Sequence, residues 1–158
     1  MNDWSRRCGL MGTRLALSAW IGAATLFVID GVRLVTADVF GSVERDHIAL
    51  IRFPPYYLTG ATCLAFAIGG MMLARTLPGM NRRRWTAVLV LILLASAAML
   101  VDYVWVYSPL AQMITPPGIA RPAGFRTLHR ASEIVNTIQI GLCLAAACVS
   151  NWPLDRPS

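Results

Sequence analysis

The sequence predicts an all-α integral membrane protein, a bundle of four transmembrane helices with both termini on the cytoplasmic side. Three observations predict it. Of 158 residues, 56% are hydrophobic and only 14% are charged, where a soluble domain carries about 25% charged residues. The mean hydropathy is +0.57. Apolar stretches long enough to cross a bilayer, roughly 20 residues as a helix, recur four times with Arg- or Pro-rich breaks between them. One domain accounts for this length. The net charge of +6 comes from arginine alone, because the chain has no lysine. A basic soluble protein would suggest nucleic acid. Here the arginines flank apolar runs, which marks them as loop charge that sets topology, and no nucleic-acid partner is expected.

Residues 1–13 form a polar N-terminal segment containing Arg6 and Arg7. The first helix is predicted at about 14–36. Arg14 precedes fifteen uncharged residues, and Asp30 and Arg33 must fall in the last turns for the span to be long enough. A cleaved signal peptide ending at Val35-Thr36-Ala37 is the rival reading. The charges after the apolar core and the three later spans argue against it. Residues 38–52 read as a charged loop with His47 among Glu44, Arg45 and Asp46.

The second helix is predicted at about 54–76, within an uncharged stretch from Phe53 to Ala74. Pro54 and Pro55 suit its first turn, where the missing N–H groups would be unpaired anyway. Tyr56 and Tyr57 suit the membrane interface. Leu77-Pro78-Gly79 ends it. The third helix is predicted at about 85–107, anchored by Trp85. Asp102 interrupts its apolar run and shares a face with Ala95 and Ala98, so it is expected to point between helices. Tyr103, Trp105 and Tyr107 are the expected aromatic belt. Pro109, Pro116, Pro117 and Pro122 mark 108–124 as an extramembrane loop. The fourth helix is predicted at about 128–150, with 151–158 as a cytoplasmic tail. Small residues four apart (Ser18 and Gly22; Ala61, Ala65 and Gly69; Gly141 and Ala145) predict close-packing faces. The four cysteines form no Cys-x-x-Cys pair, and Cys63, Cys143 and Cys148 are expected to pack as small hydrophobes.

Arg6, Arg7, Arg14, Arg75, Arg82, Arg83, Arg84 and Arg156 fall at one set of helix ends. Arg45, Arg52, Arg121 and Arg126 fall in loops at the other, with Arg33 and Arg130 near helix ends. The first set is expected in the cytoplasm, and a bacterial plasma membrane is the expected location. Alternating helix directions then bring Asp30, Arg33, Asp102, His129, Arg130 and Glu133 to one level. Asp30, Asp102 and Glu133 are each expected roughly 8–10 Å below the outer surface. His129, Glu133 and Asn136 share one helical face, and Ser132 lies among them.

Two readings of this cluster stand. In one it is a clamp: a charge at mid-bilayer costs about 2.5–3.5 kcal/mol, and Arg33 and Arg130 would pair with Asp30, Asp102 and Glu133. In the other it is a site for a substrate, lipid headgroup, metal or proton.

Residues 125–136 fit Phe-x-x-Leu-His-x-x-Ser-x-x-x-Asn, through Phe125, Leu128, His129, Ser132 and Asn136. This resembles the last-helix signature of the transmembrane protein 205-like family, also called domain of unknown function 4149. Phe53-Pro54-Pro55-Tyr56-Tyr57 is similar to that family's second marker, and Trp20 with Gly22 to a weaker third. The resemblance spans about residues 12–150 and implies a four-helix membrane protein without an assigned biochemical activity. His129, Ser132 and Asn136 are the motif positions it carries over. Glu133, Asp30 and Arg33 depart from the pattern.

The function expected is therefore that of a non-enzymatic membrane protein, whose partners are the bilayer and a second copy or another membrane protein. A small transporter, or an ion- or metal-responsive protein, is the alternative. Ser132 and His129 lie three apart without a nucleophile elbow, so no catalytic residue is assigned. No metal or cofactor is assigned either. Bis-histidine haem would need His47 and His129 to face each other at one depth, and a metal at His129, Glu133 and Asp102 is the other chemical option.

Overall fold

Asn2 opens the first helix by accepting from the Ser5 N–H at 3.0 Å, the N-cap arrangement that satisfies one of the helix's unpaired donors. In the computed structural model, which describes residues 2–154, four long helices follow one another. They are α1 (Asp3–Thr36), α2 (Ser42–Thr76), α3 (Arg82–Met113) and α4 (Phe125–Asn151). There is no strand among the described residues, and the architecture is the expected all-α four-helix bundle. Each helix is long and apolar enough to cross a membrane. α1 packs chiefly on α2 and α3 on α4, while α1–α4 and α2–α3 contacts close the ring.

The helices are longer than the apolar runs suggest. α1 starts at Asp3, so most of the polar N-terminal segment is helical. The charged stretch 38–52 is a loop only to Gly41, and α2 starts at Ser42. Pro54 and Pro55 consequently lie inside α2 rather than in its first turn. They remove the N–H groups that would reach the carbonyls of Leu50 and Ile51. α3 continues past Tyr107 to Met113, and only 114–124 is loop. Arg156 lies outside the described residues.

The inward faces explain these extensions. In α1 the buried positions include Leu10, Thr13, Leu17, Trp20 and Ala24. In α2 they include Gly60, Leu64, Ala67 and Met71. In α3 they include Val88, Ile92, Ala95 and Met99, and in α4 Gln139, Cys143, Ala146 and Ser150. All alternate by three and four residues, the spacing of a left-handed bundle seam. The same spacing continues through half-buried Phe27, Gly31 and Leu34 in α1 and through Asp46, Ala49 and Phe53 in α2. The helix goes on wherever the seam does, and surface charge hides it from a hydropathy reading. Outward, Leu15, Leu26, Leu58, Phe66, Leu93, Leu100, Ile138 and Leu144 are exposed, a belt that lipid covers without cost.

The tightest approach lies between α1 and α2. A Cβ built on Gly70 would stand 2.4 Å from the Gly9 carbonyl oxygen, and one on Gly9 2.6 Å from that of Gly70. Thr13 Oγ1 donates across the same crossing to the Ala67 carbonyl at 3.0 Å. The small-residue faces expected from spacing are elsewhere: Ser18, Gly22, Ala61, Ala65, Gly69, Gly141 and Ala145 all face outward. Spacing of four identifies a face but not its direction.

At the end carrying the chain termini, the arginines have a structural task beyond topology. Arg84 donates through Nε to the Val149 carbonyl at 3.0 Å and through its amino groups to Ser150 and Pro153. Arg14 Nε reaches the Ser150 carbonyl at 2.8 Å. Two cations thus satisfy the last carbonyls of α4, where the helix dipole favours positive charge. Trp85 Nε1 donates to the Met71 carbonyl at 2.7 Å, tying α3 to α2.

Candidate functional site

At the opposite end some seam residues are small, among them Gly31, Ala49 and Ala111, and the four helix ends line an open cavity of about 570 Å³. A Cβ on Gly31 would touch nothing closer than Arg52 at 4.0 Å. The apolar wall includes Phe27, Val28, Val32, Val35, Leu110 and Ile114; the polar wall includes Arg45, Arg52, Ser132, Glu133 and Asn136.

Asp46 and Arg121 close one side. Asp46 is 2% exposed, forms an ion pair with Arg121 and accepts from the Gly118 N–H at 2.9 Å. Gly118 has φ +88°, a left-handed conformation that glycine adopts without steric cost. Arg121 also lies 4.7 Å over the Phe125 ring. Together these contacts hold the 114–124 loop on the first turns of α2.

Asp46 precedes the uncharged membrane-crossing stretch 53–74. Burial pushes its carboxyl up, but the hydrogen bonds from Arg121 and Gly118, with the arginine's charge, outweigh that and hold its pKa below the ordinary 3.8. A depressed carboxylate stabilises the fold above its unfolded pKa, and that contribution is lost as pH falls through the folded value. Asp46→Asn is therefore expected to unfold at lower temperature than the parent at pH 6. The gap should close below about pH 4; a gap that is constant with pH would count against the pair.

Next to the cavity is a buried polar network. The Tyr57 hydroxyl donates to Asp102 Oδ2 at 2.5 Å, and the Tyr56 hydroxyl donates to Asn136 Oδ1 at 2.6 Å. Ser132 lies close to both Tyr57 and Asp102. Asp102 Oδ1 and Gln139 Oε1 are buried without a partner. Asp102 opens a π-helical turn, Asp102–Tyr107, that widens α3 at this level; such turns occur often at functional sites. Aromatic rings brace the network. Phe27 stacks on Tyr56 at 4.2 Å, and Tyr57 meets both Tyr103 and Tyr107 at 5.1 Å. Tyr107 thus belongs to this inner cluster, while Tyr103 touches it from an exposed position and Trp105 points outward.

Of the eight residues expected to cluster, the structure brings Asp102, Ser132 and Asn136 together. His129 and Glu133 form an exposed pair at 3.4 Å on the cavity wall. Asp30, Arg33 and Arg130 are exposed and make no ion pair among the described residues. Asp102 therefore finds the Tyr57 hydroxyl where arginines were expected, because Arg33 and Arg130 sit off the inward seams of α1 and α4. No group of three or more His, Cys, Asp or Glu among the described residues is placed to hold a metal.

Sequence reasoning missed the four residues that do most here. Tyr56 and Tyr57 were expected at the interface, but they are buried. Arg45 and Arg52 were expected in a loop, but they line the cavity from α2. The recoverable signal was the three-four alternation leading from Asp46 through Phe53 to Gly60.

Comparison with known proteins yields no matching family model, no matching curated protein and no matching solved structure.

Proposed function

We propose that this integral membrane protein is a non-enzymatic binding protein that holds a small molecule in the cavity opposite its termini. The cavity carries the reading: about 570 Å³, walled by all four helices, apolar with a few convergent polar groups. That volume and lining match small-molecule sites, typically about 300–1,000 Å³. In this reading the termini are cytoplasmic, the cavity faces outward from a bacterial plasma membrane, and the polar cluster serves as binding wall more than as clamp. The motif that resembles the transmembrane protein 205-like family meets this cavity. The motif residues His129, Ser132 and Asn136 all lie on the α4 wall of the cavity.

Gly31→Leu tests the reading. It fills open space and replaces a helical glycine, which favours the helix by about 0.5–1 kcal/mol. Native mass spectrometry of the parent protein released from membranes should show a bound small molecule, and Gly31→Leu should fold and carry none. Identical adducts on both proteins would overturn the reading. A small transporter is the second reading, favoured by the buried Asp102 beside Ser132. It requires the cavity's molecule to accumulate in proteoliposomes under an imposed proton gradient.

A further inference from the structure

We propose that the cavity's occupant is an anionic lipid of the surrounding bilayer, with its headgroup at Arg45 and Arg52 and one tail against the α1 valines. This rests on the cavity being a binding site, and it names the chemistry of what binds.

The charges are unevenly matched. Asp46 is taken by Arg121, and Glu133 faces His129. Arg45 and Arg52 have no carboxylate partner among the described residues. Each spends one amino group on a backbone carbonyl, Arg45 on Ala37 at 3.1 Å and Arg52 on Phe27 at 3.0 Å. Arg45 Nε is buried without an acceptor. A guanidinium has five N–H donors arranged as a fork that suits phosphate, so both arginines retain donors for an anion. They lie seven residues apart on one face of α2, about 10 Å along its axis, so Arg52 meets the phosphate and Arg45 the outer part of the headgroup. Arg52 is further oriented by the Phe27 ring, 4.6 Å below its guanidinium.

The position identifies the source of the anion. Arg52 immediately precedes the uncharged stretch of α2 that begins at Phe53, which places it at the boundary between hydrocarbon and headgroups. Val28, Val32 and Val35 line the cavity and remain exposed, each one residue past the half-buried seam positions Phe27, Gly31 and Leu34. A step of one residue turns about 100° around a helix, so this flank of α1 leads from the seam towards lipid and offers a tail an apolar way in from the bilayer. A soluble anion such as free phosphate would gain nothing from that valine wall.

The test compares thermal unfolding in nanodiscs of phosphatidylcholine alone with nanodiscs that also contain phosphatidylglycerol carrying the same tails. Phosphatidylglycerol should raise the unfolding temperature of the parent protein, since a ligand that binds only the folded state stabilises it. Arg45→Gln/Arg52→Gln should lose that rise, with binding weakened about fivefold per arginine. Arg82→Gln/Arg83→Gln, at the other end of the bundle, should keep it, and Gly31→Leu should lose it. Should the glutamine pair not fold, the single Arg52→Gln variant decides by the same criterion. A rise that survives Arg45→Gln/Arg52→Gln, or that disappears only with Arg82→Gln/Arg83→Gln, places the anion elsewhere and overturns the proposal. The binding reading would still stand in that case, provided Gly31→Leu strips the adduct. If Gly31→Leu keeps the adduct, the binding reading fails, and this proposal with it.

Discussion

Gly70→Val is expected to lower the thermal stability of the purified protein sharply, while Gly69→Val leaves it within a degree or two. The two glycines are neighbours in sequence and opposite in surroundings. A Cβ at Gly70 would press on the Gly9 carbonyl oxygen at 2.4 Å and on Thr13 Oγ1 at 2.5 Å. A Cβ at Gly69 would meet nothing within 4 Å. Neither clash has a flexible way out, because one contact is backbone and the other is a hydroxyl bonded across the helix crossing. Overpacking of a well-fitted core typically costs about 1–3 kcal/mol, and this site belongs at the upper end. At about 2–4 °C per kcal/mol for a chain of this size, the unfolding temperature should fall by roughly 6–12 °C. Equal stability of the two variants would mean that α1 and α2 do not cross at Gly9 and Gly70.

Tyr57→Phe is expected to destabilise the bundle by about 1–3 kcal/mol, the cost of stranding a buried acceptor. Asp102 is 3% exposed, and its Oδ1 already lacks a partner. Losing the Tyr57 hydroxyl removes the carboxyl's hydrogen-bond donor among the described residues. The informative comparison is the double variant Tyr57→Phe/Asp102→Leu. Replacing both partners of a buried polar pair by apolar groups is often neutral or stabilising. The double variant should therefore recover much of what the single variant loses. The cycle is read by thermal unfolding in detergent. Additive losses with no recovery would show that the hydroxyl and the carboxyl do not act on each other.

Much of the fold was legible in the residue order, and the reason is local. Whether a stretch crosses a bilayer depends on the summed hydropathy of about 20 residues, and that sum needs no knowledge of neighbours. The inward aim of Asp102 was legible for a related reason: Ala95 and Ala98 share its face and are too small to be lipid anchors. The candidate site was half legible. Asp102, Ser132 and Asn136 were identified, but Asp30, Arg33 and Arg130 were grouped with them on depth alone. Depth follows from counting residues along a helix. Rotation about the helix axis does not, and a turn of 100° separates a residue facing the seam from one facing lipid.

The membrane class, the four helices and the polarity of one bundle end are thus properties of composition and spacing along the chain. The partners were decided by how the helices meet. Gly9 and Gly70, not the outward-facing small residues, let two backbones touch, because contact depends on both surfaces at once. Tyr57 rather than an arginine reaches Asp102 because the seams of α2 and α3 bring those two positions together. The cavity, too, exists only in three dimensions. Gly31, Ala49 and Ala111 are unremarkable one at a time, and they line one cavity only because their helices place all three at one level.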